Sequence, residues 1–256
     1  MTKNNWTREE HIAAFNLYCK IPFSKINATY PPVIELAKII GRTNGSVAMK
    51  LANFARLDPV LKARNISGLT RGAKGEEEVW NEFNGNWEEL AWRSEQILAN
   101  YKKDSIENSA EIIIDDLPLQ GKDREAVVKT RVNQSFFRKT ILASYNYNCC
   151  ITGISIPELL IASHIVPWAV DKEKRMNPTN GLCLNALHDK AFDIGLITVT
   201  PEYKIKCSEI ILDNRNIETS TFFSPFENQT IRLPQKFYPQ KEFLEWHNQN
   251  IFVDLK

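Results

Sequence analysis

Apolar residues recur at helical intervals in the first hundred residues of the chain, most clearly in the segment 33–57, VIELAKIIGRTNGSVAMKLANFARL. One apolar stripe comprises Val33, Leu36, Ala37 and Ile40. A second stripe comprises Val47, Leu51 and Phe54. Gly41 between the stripes is suited to end the first helix, and Thr43 is suited to cap the second. The pattern therefore predicts two short helices joined by a glycine turn.

Two helices joined in this way are the arrangement of a helix-turn-helix, which places its second helix in the DNA major groove. Lys50 and Asn53 lie beside the apolar stripe of the second helix, and Arg42 lies in the turn. On this interpretation Arg42, Lys50 and Asn53 contact DNA. The plainer alternative is that the two helices only pack together.

The pattern changes after residue 100. Residues 101–130 are charged and turn-prone, with Pro118, Gly121 and one short β-like run at Ile112–Ile114, and are typical of a linker. Beyond them, FFRKTILASY and YPQKEFLEWHNQNIF read as helices, and GLCL and GLITVT read as strands. We therefore predict an α+β protein with a helical N-terminal domain at 1–100, a linker at 101–130 and a mixed C-terminal domain at 131–256.

The composition and charge of the chain argue against a secreted or membrane protein, but they do not indicate a binding partner. The chain has 256 residues and a formal net charge of +1, so its total charge draws it neither to nucleic acid nor to a membrane. It begins without the apolar core of a signal peptide and has no apolar run long enough to cross a bilayer. Its five cysteines form no C-x-x-C pair, which argues against a disulfide framework. We expect a cytoplasmic protein with no membrane partner.

Half of the four histidines fall within residues 162–195, ASHIVPWAVDKEKRMNPTNGLCLNALHDKAFDIG. His164 follows an apolar run as the end of a strand would, and Asn180 follows a polar loop. His188 comes after a second strand-like run and opens a helical pattern. Strand, loop, strand and helix would bring these three residues toward one another across a hairpin.

Hydrolysis of a phosphodiester needs a base for water and a cation for the developing charge. A histidine with a pKa near neutrality suits the first task, and histidine with carboxylates suits a divalent ion. For any one of these residues alone, the ordinary alternative is a core or surface histidine. Likewise, Asp189 and Asp193 are carboxylates that would stabilise the first turn of a helix without further function.

The combination resembles the HNH motif of the ββα-metal nucleases. The resemblance is carried by His164, Asn180 and His188, by the Ile-Val-Pro that follows His164, and by Asn-Gly-Leu at 180–182. ASHIVPW with NGLCLNALHDKAFDIGLI is similar to a bacterial HNH subfamily of restriction endonucleases, over about half of the chain. The segments WTREE and IGRTNGSVAMKLANF also resemble the leader region of such enzymes.

The resemblance implies a role for each matching residue. His164 would be the general base, Asn180 would orient the loop around it, and His188 would bind metal from the start of the helix. Two departures change the expected ligands. Ser163 stands where many family members have a metal ligand, and only Cys149 and Cys150 stand near the first of the usual zinc-binding knuckles, so no structural zinc is expected.

Replacement ligands for the catalytic ion are therefore expected from Asp193 and Asp189. Asp193 is favoured because F-D-x-G follows the helix in this subfamily, and Mg²⁺ is the expected ion, with Mn²⁺ or another divalent ion as the alternative. Arg175, in the loop between the strands, is expected to meet a phosphate, or else to be solvated with its charged neighbours.

These inferences predict a metal-dependent HNH DNA endonuclease of restriction type. The first alternative is a DNA-binding regulator with a degenerate HNH fold, which Ser163 motivates. The second is a nuclease for RNA or structured junctions. A homodimer is expected if the recognition site is two-fold symmetric.

Overall fold

A computed structural model describes residues 5–66, 72–113, 121–171 and 173–253. The chain divides into two compact units, Met1–Ala143 and Ser144–Lys256. The first unit is helical and the second combines helices with small antiparallel sheets, which agrees with the predicted α+β class. No helix within these described ranges combines the length and apolar character that crossing a membrane requires.

The first unit begins with helix α1 (Arg8–Lys20), which starts at the predicted capping box. The Thr7 hydroxyl accepts a hydrogen bond from the Glu10 amide, and the Glu10 carboxylate accepts one from the Thr7 amide. The following helices are α2 (Pro31–Ile40), α3 (Asn44–Ala55), α4 (Pro59–Ala63), α5 (Lys74–Phe83), α6 (Trp87–Lys102), α7 (Ile106–Ser109) and α8 (Lys122–Ser144).

The region predicted as a linker, 101–130, contains α7 and the first part of α8. Its charged residues pair locally, since Arg124 forms an ion pair with Glu107 at 2.9 Å, and the Ser105 hydroxyl caps α7. Capping and ion pairs of this kind stabilise α7 and the start of α8, which have no clear apolar stripe. The pattern of apolar residues therefore did not predict these helices. The β-like run is not a strand at Ile112 and Ile113; Ile114 and Pro118 lie outside the described residues. The three-part division of the chain stays a prediction.

An aromatic cluster forms the core of the first unit. The Phe15 ring lies 5.0 Å from that of Phe54 and 5.1 Å from that of Trp80, between ring centroids. The buried Tyr18 hydroxyl donates a hydrogen bond of 2.8 Å to the buried carboxylate of Asp58. Helices α1, α3 and α5 are thus joined by packed rings, and the buried hydroxyl of Tyr18 has a hydrogen-bond partner.

Helices α2 and α3 are joined at Gly41, in the left-handed conformation with φ of 64°, as the sequence predicts. The polar side chains of α3, however, turn inward. Lys50 and Asn53 are each only 7% exposed, and both donate to the fully buried carboxylate of Glu76 in α5. Glu76 is the first of three consecutive glutamates, and Glu77 and Glu78 are exposed.

Arg42 is also held within the first unit. Its guanidinium makes two hydrogen bonds, of 3.0 and 2.6 Å, to the carboxylate of Glu10, and it lies over the ring of Trp6. Arg42, Lys50 and Asn53 therefore stabilise the packing of their own unit in this structure. Their burial argues against the DNA contacts expected of them, and the exposed positions of α3, Gly45 and Met49, carry no charge.

Replacement of Lys50 by alanine should destabilise the first unit. The change removes the nearer of the two cations that pair with the buried Glu76 carboxylate, the other being Arg56 at 4.0 Å. The expected loss is about 3 kcal/mol in unfolding free energy, the lower end of the range for broken buried pairs. Urea unfolding of Lys50→Ala, and of Lys50→Met combined with Glu76→Gln as the control that removes both charges, measures the effect. A Lys50→Ala protein of unchanged stability with a flatter salt dependence of DNA binding would contradict the structural role.

The second unit is organised around an antiparallel ribbon. Strands β1 (Leu160–His164) and β2 (Gly181–Asn185) pair with His164 opposite Gly181, and helix α9 (Ala186–Asp193) follows β2 without a loop. This is the strand, loop, strand and helix order that the sequence predicts. The remaining elements are β3 (Ile197–Val199), β4 (Ile205–Cys207), α10 (Glu209–Leu212), α11 (Ile217–Phe223) and α12 (Lys241–Asn250).

His247 anchors α12 against the rest of the second unit. Its ring stacks on Phe192 with centroids 3.7 Å apart, and its Nε2–H donates to the Phe192 carbonyl oxygen at 3.1 Å. The Thr198 hydroxyl donates to Nδ1 at 2.8 Å. Burial lowers the pKa of His247 to about 4, because the charged ring would lose its hydration.

Acidification should therefore destabilise the second unit through His247. The unfolded chain binds the proton at the ordinary pKa of 6.5 and the folded chain only near 4, so stability falls as the pH drops through that interval. The loss in unfolding free energy reaches about 3 kcal/mol at the acid end of this pH interval. Urea unfolding of wild type and His247→Gln between pH 7.5 and 4.5 isolates this contribution. Parallel pH dependences for the two proteins would contradict it.

Candidate active site

A cavity of about 410 Å³ opens beside β1 and α9. Its lining consists of Ile161, Ala162, Ser163, His164, Pro167, Trp168, Asp189 and Asp193. Three residues singled out from the sequence, His164, Asp189 and Asp193, thus share one cavity. The imidazole comes from the end of a strand and both carboxylates come from one helix, one turn apart.

The backbone fixes the proton arrangement of His164. Its Nε2 lies 2.9 Å from the Arg175 carbonyl oxygen, and a carbonyl can only accept, so Nε2 carries the hydrogen. The lone pair of the neutral ring is therefore on Nδ1. Burial lowers the pKa of His164, although the Arg175 carbonyl and the Asp193 carboxylate partly offset this. Near pH 7 the ring is neutral, which is the form that can accept a proton.

Asn180 clamps the chain that follows His164. Its side-chain oxygen accepts from the Val166 amide at 2.8 Å, and its side-chain nitrogen donates to the Val166 carbonyl at 3.1 Å. The Asn180 backbone carbonyl also accepts from the Ile165 amide. The residue is buried and precedes β2. This geometry is consistent with the loop-orienting role that the resemblance implies for Asn180.

The two carboxylates of α9 lie in surroundings that disfavour their charge. Burial raises the pKa of both Asp189 and Asp193, and the charge of Asp193 raises that of Asp189 further. The nearby ammonium of Lys190 lowers both pKa values. The buried hydroxyl of Ser163 also lowers the pKa of Asp189, because it favours the ionised carboxylate. A cation in the cavity would relieve the repulsion between the carboxylates.

His188 does not line this cavity. It is 2% exposed, its Nε2–H donates to the Phe222 carbonyl oxygen at 3.1 Å, and its Nδ1 accepts from the Asn185 amide nitrogen at 2.9 Å. Both ring nitrogens are therefore occupied, and neither offers a lone pair to an ion. His188 lies outside the lining of the cavity that contains His164, so the metal-binding role expected for it stays a prediction that this geometry does not support.

Residues 149–200 match the family model described as HNH endonuclease. The match supports an HNH nuclease domain in this part of the chain. It covers about a fifth of the sequence and includes β1, β2, α9 and the whole cavity lining. No curated protein matches the chain. An HNH endonuclease domain implies a DNA substrate, and such nucleases generally use a divalent metal ion.

The donor set of the HNH domain fits one kind of ion better than others. Across the described ranges, no three His, Cys, Asp or Glu side chains gather closely enough to hold a metal by themselves. Mg²⁺ needs only one or two carboxylates, because water and substrate phosphate oxygens complete its shell. Asp189 and Asp193 meet that requirement, whereas a site made entirely of protein ligands would need more donors.

Asn185 was not singled out from the sequence. It caps α9, since its side-chain oxygen accepts from the Leu187 and His188 amides, and its nitrogen donates to Thr152 at 3.1 Å. The signal was available, because asparagine directly before a helical pattern is a favoured N-cap. The cap fixes the start of the helix that carries both carboxylates.

The guanidinium of Arg175 packs on Trp168, which lines the cavity. The guanidinium carbon lies 4.8 Å from the centre of the Trp168 ring, and that ring meets the His164 ring edge-on at 5.5 Å. The backbone carbonyl of Arg175 also holds His164. The loop between β1 and β2 of the HNH domain thus brings the Arg175 guanidinium near His164.

Replacement of Asn180 by alanine should lower both stability and kcat of the HNH domain. The change leaves the Val166 amide and carbonyl without partners in the interior, at about 1–3 kcal/mol for each buried group. Thermal unfolding and DNA cleavage rates measure the two effects. Asn177→Ala, which removes a cap from the same turn, is the matched control. Equal behaviour of the two variants would contradict the clamp.

Proposed function

We propose that the chain is a metal-dependent DNA endonuclease in which His164 is the general base. The observation that carries this proposal is the meeting of His164 with Asp189 and Asp193 in one cavity of the HNH domain. A neutral imidazole and two carboxylates provide the base and the cation site that phosphodiester hydrolysis needs.

The proposed step begins with water near Nδ1 of His164. The ring accepts a proton as the water oxygen bonds to phosphorus, and the bond from phosphorus to the leaving sugar oxygen breaks. Solvent returns a proton to that oxygen. The Arg175 carbonyl, which accepts from Nε2–H, stabilises the positive ring that results, and the Asp193 carboxylate favours the same form.

Asp189 and Asp193 would hold the divalent ion, for which Mg²⁺ is our proposal. A bound ion supplies the positive charge that offsets charge developing on the phosphate and the leaving oxygen. The carboxylates contribute by being fixed one helical turn apart in a partly buried cavity. His188 is not among the proposed ligands, because both of its nitrogens are engaged elsewhere.

Arg175 is the proposed phosphate contact. Stacking on Trp168 limits the freedom of its guanidinium, so less conformational entropy is lost when a phosphate oxygen binds. Arg42, Lys50 and Asn53 are not proposed as DNA contacts, because their side chains pair within the first unit.

A restriction role, with the helical unit selecting the DNA site, is also part of the proposal. It is supported by the resemblance of ASHIVPW and NGLCLNALHDKAFDIGLI to HNH restriction endonucleases and by the presence of a separate helical unit. A homodimer would follow from a two-fold symmetric site.

Incubation of plasmid and linear duplex DNA with the full chain in Mg²⁺, Mn²⁺ or EDTA tests the proposed function. We expect cutting that depends on the divalent ion. DNA that is bound but never cut, whether plain or modified, would instead favour the regulator with a degenerate fold. Cutting confined to RNA or junctions in a parallel panel would favour the other nuclease class.

A further inference from the structure

The first turn of α9 is fixed by side chains that do not line the cavity. This matters because α9 carries Asp189 and Asp193, so any movement of its start would move both carboxylates relative to His164. The inference below rests on the proposed function and concerns what holds these carboxylates in place.

His188 connects α9 to the end of α11. Its Nε2–H donates to the Phe222 carbonyl, and its ring contacts those of Phe223 and Phe226 at centroid distances of 5.2 and 5.6 Å. A buried ring with a directional hydrogen bond and two aromatic neighbours has one well-defined position.

Asn185 connects the same turn to the segment that precedes β1. Its amide nitrogen lies 2.9 Å from Nδ1 of His188 and 3.1 Å from the Thr152 hydroxyl, while its oxygen accepts two amides of the turn. His188 therefore accepts from the residue that caps its own helix and donates to a carbonyl 34 residues later in the chain.

We propose that His188 is a positioning residue that sets the location of Asp189 and Asp193, rather than a ligand of the metal ion. It acts through the helix that it anchors. A displacement of about 1 Å in a catalytic group lowers rates by about 10²-fold, so an anchor on this turn has a large effect without touching substrate or ion.

Glutamine separates the two roles. Its side-chain amide nitrogen can occupy the position of Nε2 and donate to the Phe222 carbonyl, but glutamine offers no imidazole nitrogen to a metal. Alanine removes the hydrogen bonds and the ring contacts together. Asp193→Asn, which is nearly isosteric, supplies the reference for a lost ligand.

The experiment measures Mn²⁺ binding by calorimetry in the absence of DNA, and duplex cleavage, for the full-length wild type and the three variants. We expect His188→Gln to bind Mn²⁺ within a few-fold of wild type and to keep most of its activity. His188→Ala should lose about 10–100-fold in affinity, as is typical when support of a ligand is removed. Asp193→Asn should bind most weakly.

Loss of Mn²⁺ affinity in His188→Gln as large as in Asp193→Asn would overturn the positioning role and make His188 a ligand, while the proposed function would stand. A His188→Ala protein with wild-type affinity and activity would also overturn it. If His188→Ala does not fold, the glutamine variant alone decides. A wild type that neither binds Mn²⁺ nor cuts DNA would overturn the proposed function itself.

Discussion

Replacement of His164 by alanine is expected to lower kcat for duplex DNA cleavage by about 10²–10⁴-fold, the usual contribution of a positioned general base. The reason is that Nδ1 of the neutral ring is the proposed proton acceptor, and no side chain replaces it in the variant. Single-turnover cleavage at saturating enzyme measures the chemical step apart from binding. Binding of DNA should change little, because the proposed role concerns the proton and not the phosphate.

The control for this prediction is the same kind of change at a histidine in the other unit. His164→Gln should lose activity like His164→Ala. His11→Gln should retain activity in the folded protein, since His11 lies outside the HNH domain and its cavity. Equal cutting by wild type and His164→Ala would remove His164 as the base.

Replacement of Asp189 or Asp193 by asparagine should abolish most of the stimulation by Mg²⁺. The carboxylates are the proposed anchors of the ion, and loss of several kcal/mol of charge stabilisation corresponds to about 10²–10³-fold in rate. Cleavage measured across a range of Mg²⁺ concentrations separates weaker binding of the ion from a slower chemical step. Partial recovery at high Mg²⁺ is expected when one of the two ligands remains.

The unfolding free energy of the Asp189→Asn and Asp193→Asn variants provides a second test of the metal-anchoring role. Burial raises the pKa of both carboxyl groups, and the Asp193 charge raises that of Asp189 further, so neutral asparagine should leave the metal-free protein equally or more stable. Asp171→Asn, at a half-buried carboxylate that pairs with Lys174, is the control outside the cavity. An Asp193→Asn protein that is less stable but unchanged in its Mg²⁺ dependence would contradict the metal-anchoring role.

The local order of the HNH domain was predictable from the sequence. Strands β1 and β2 and helix α9 follow one another along the chain, and each has a clear pattern of apolar and polar residues. His164 at the strand end and Asn180 in the turn before β2 therefore lie where the sequence indicated. Local patterns suffice when neighbouring elements along the chain also pair in space.

The directions of individual polar side chains were not predictable in this way. His188 is held by a carbonyl 34 residues away, and Lys50 by a carboxylate 26 residues away. Helical periodicity shows on which side of a helix a polar residue lies, but it does not show whether a partner from another element buries that side. For this reason the metal ligand expected at His188 and the DNA contacts expected at Lys50 are not supported by the structure.

The site formed by the carboxylates of α9 was only partly predictable from the sequence. The sequence left two readings open for Asp189 and Asp193, either stabilisation of the first helical turn or binding of an ion. The structure brings both residues to the cavity of His164. Their spacing was visible in the sequence, whereas their shared surroundings depend on how α9 packs beside β1.

Anomalous diffraction from crystals of the full chain soaked in Mn²⁺ tests the central claim most directly, because it locates the ion without reference to activity. We predict a peak in the cavity of His164, bound by the carboxylates of Asp189 and Asp193, with His188 still hydrogen-bonded to Phe222. A peak on His188, or none near α9 in a protein that cuts DNA with Mn²⁺, would contradict the proposed active site.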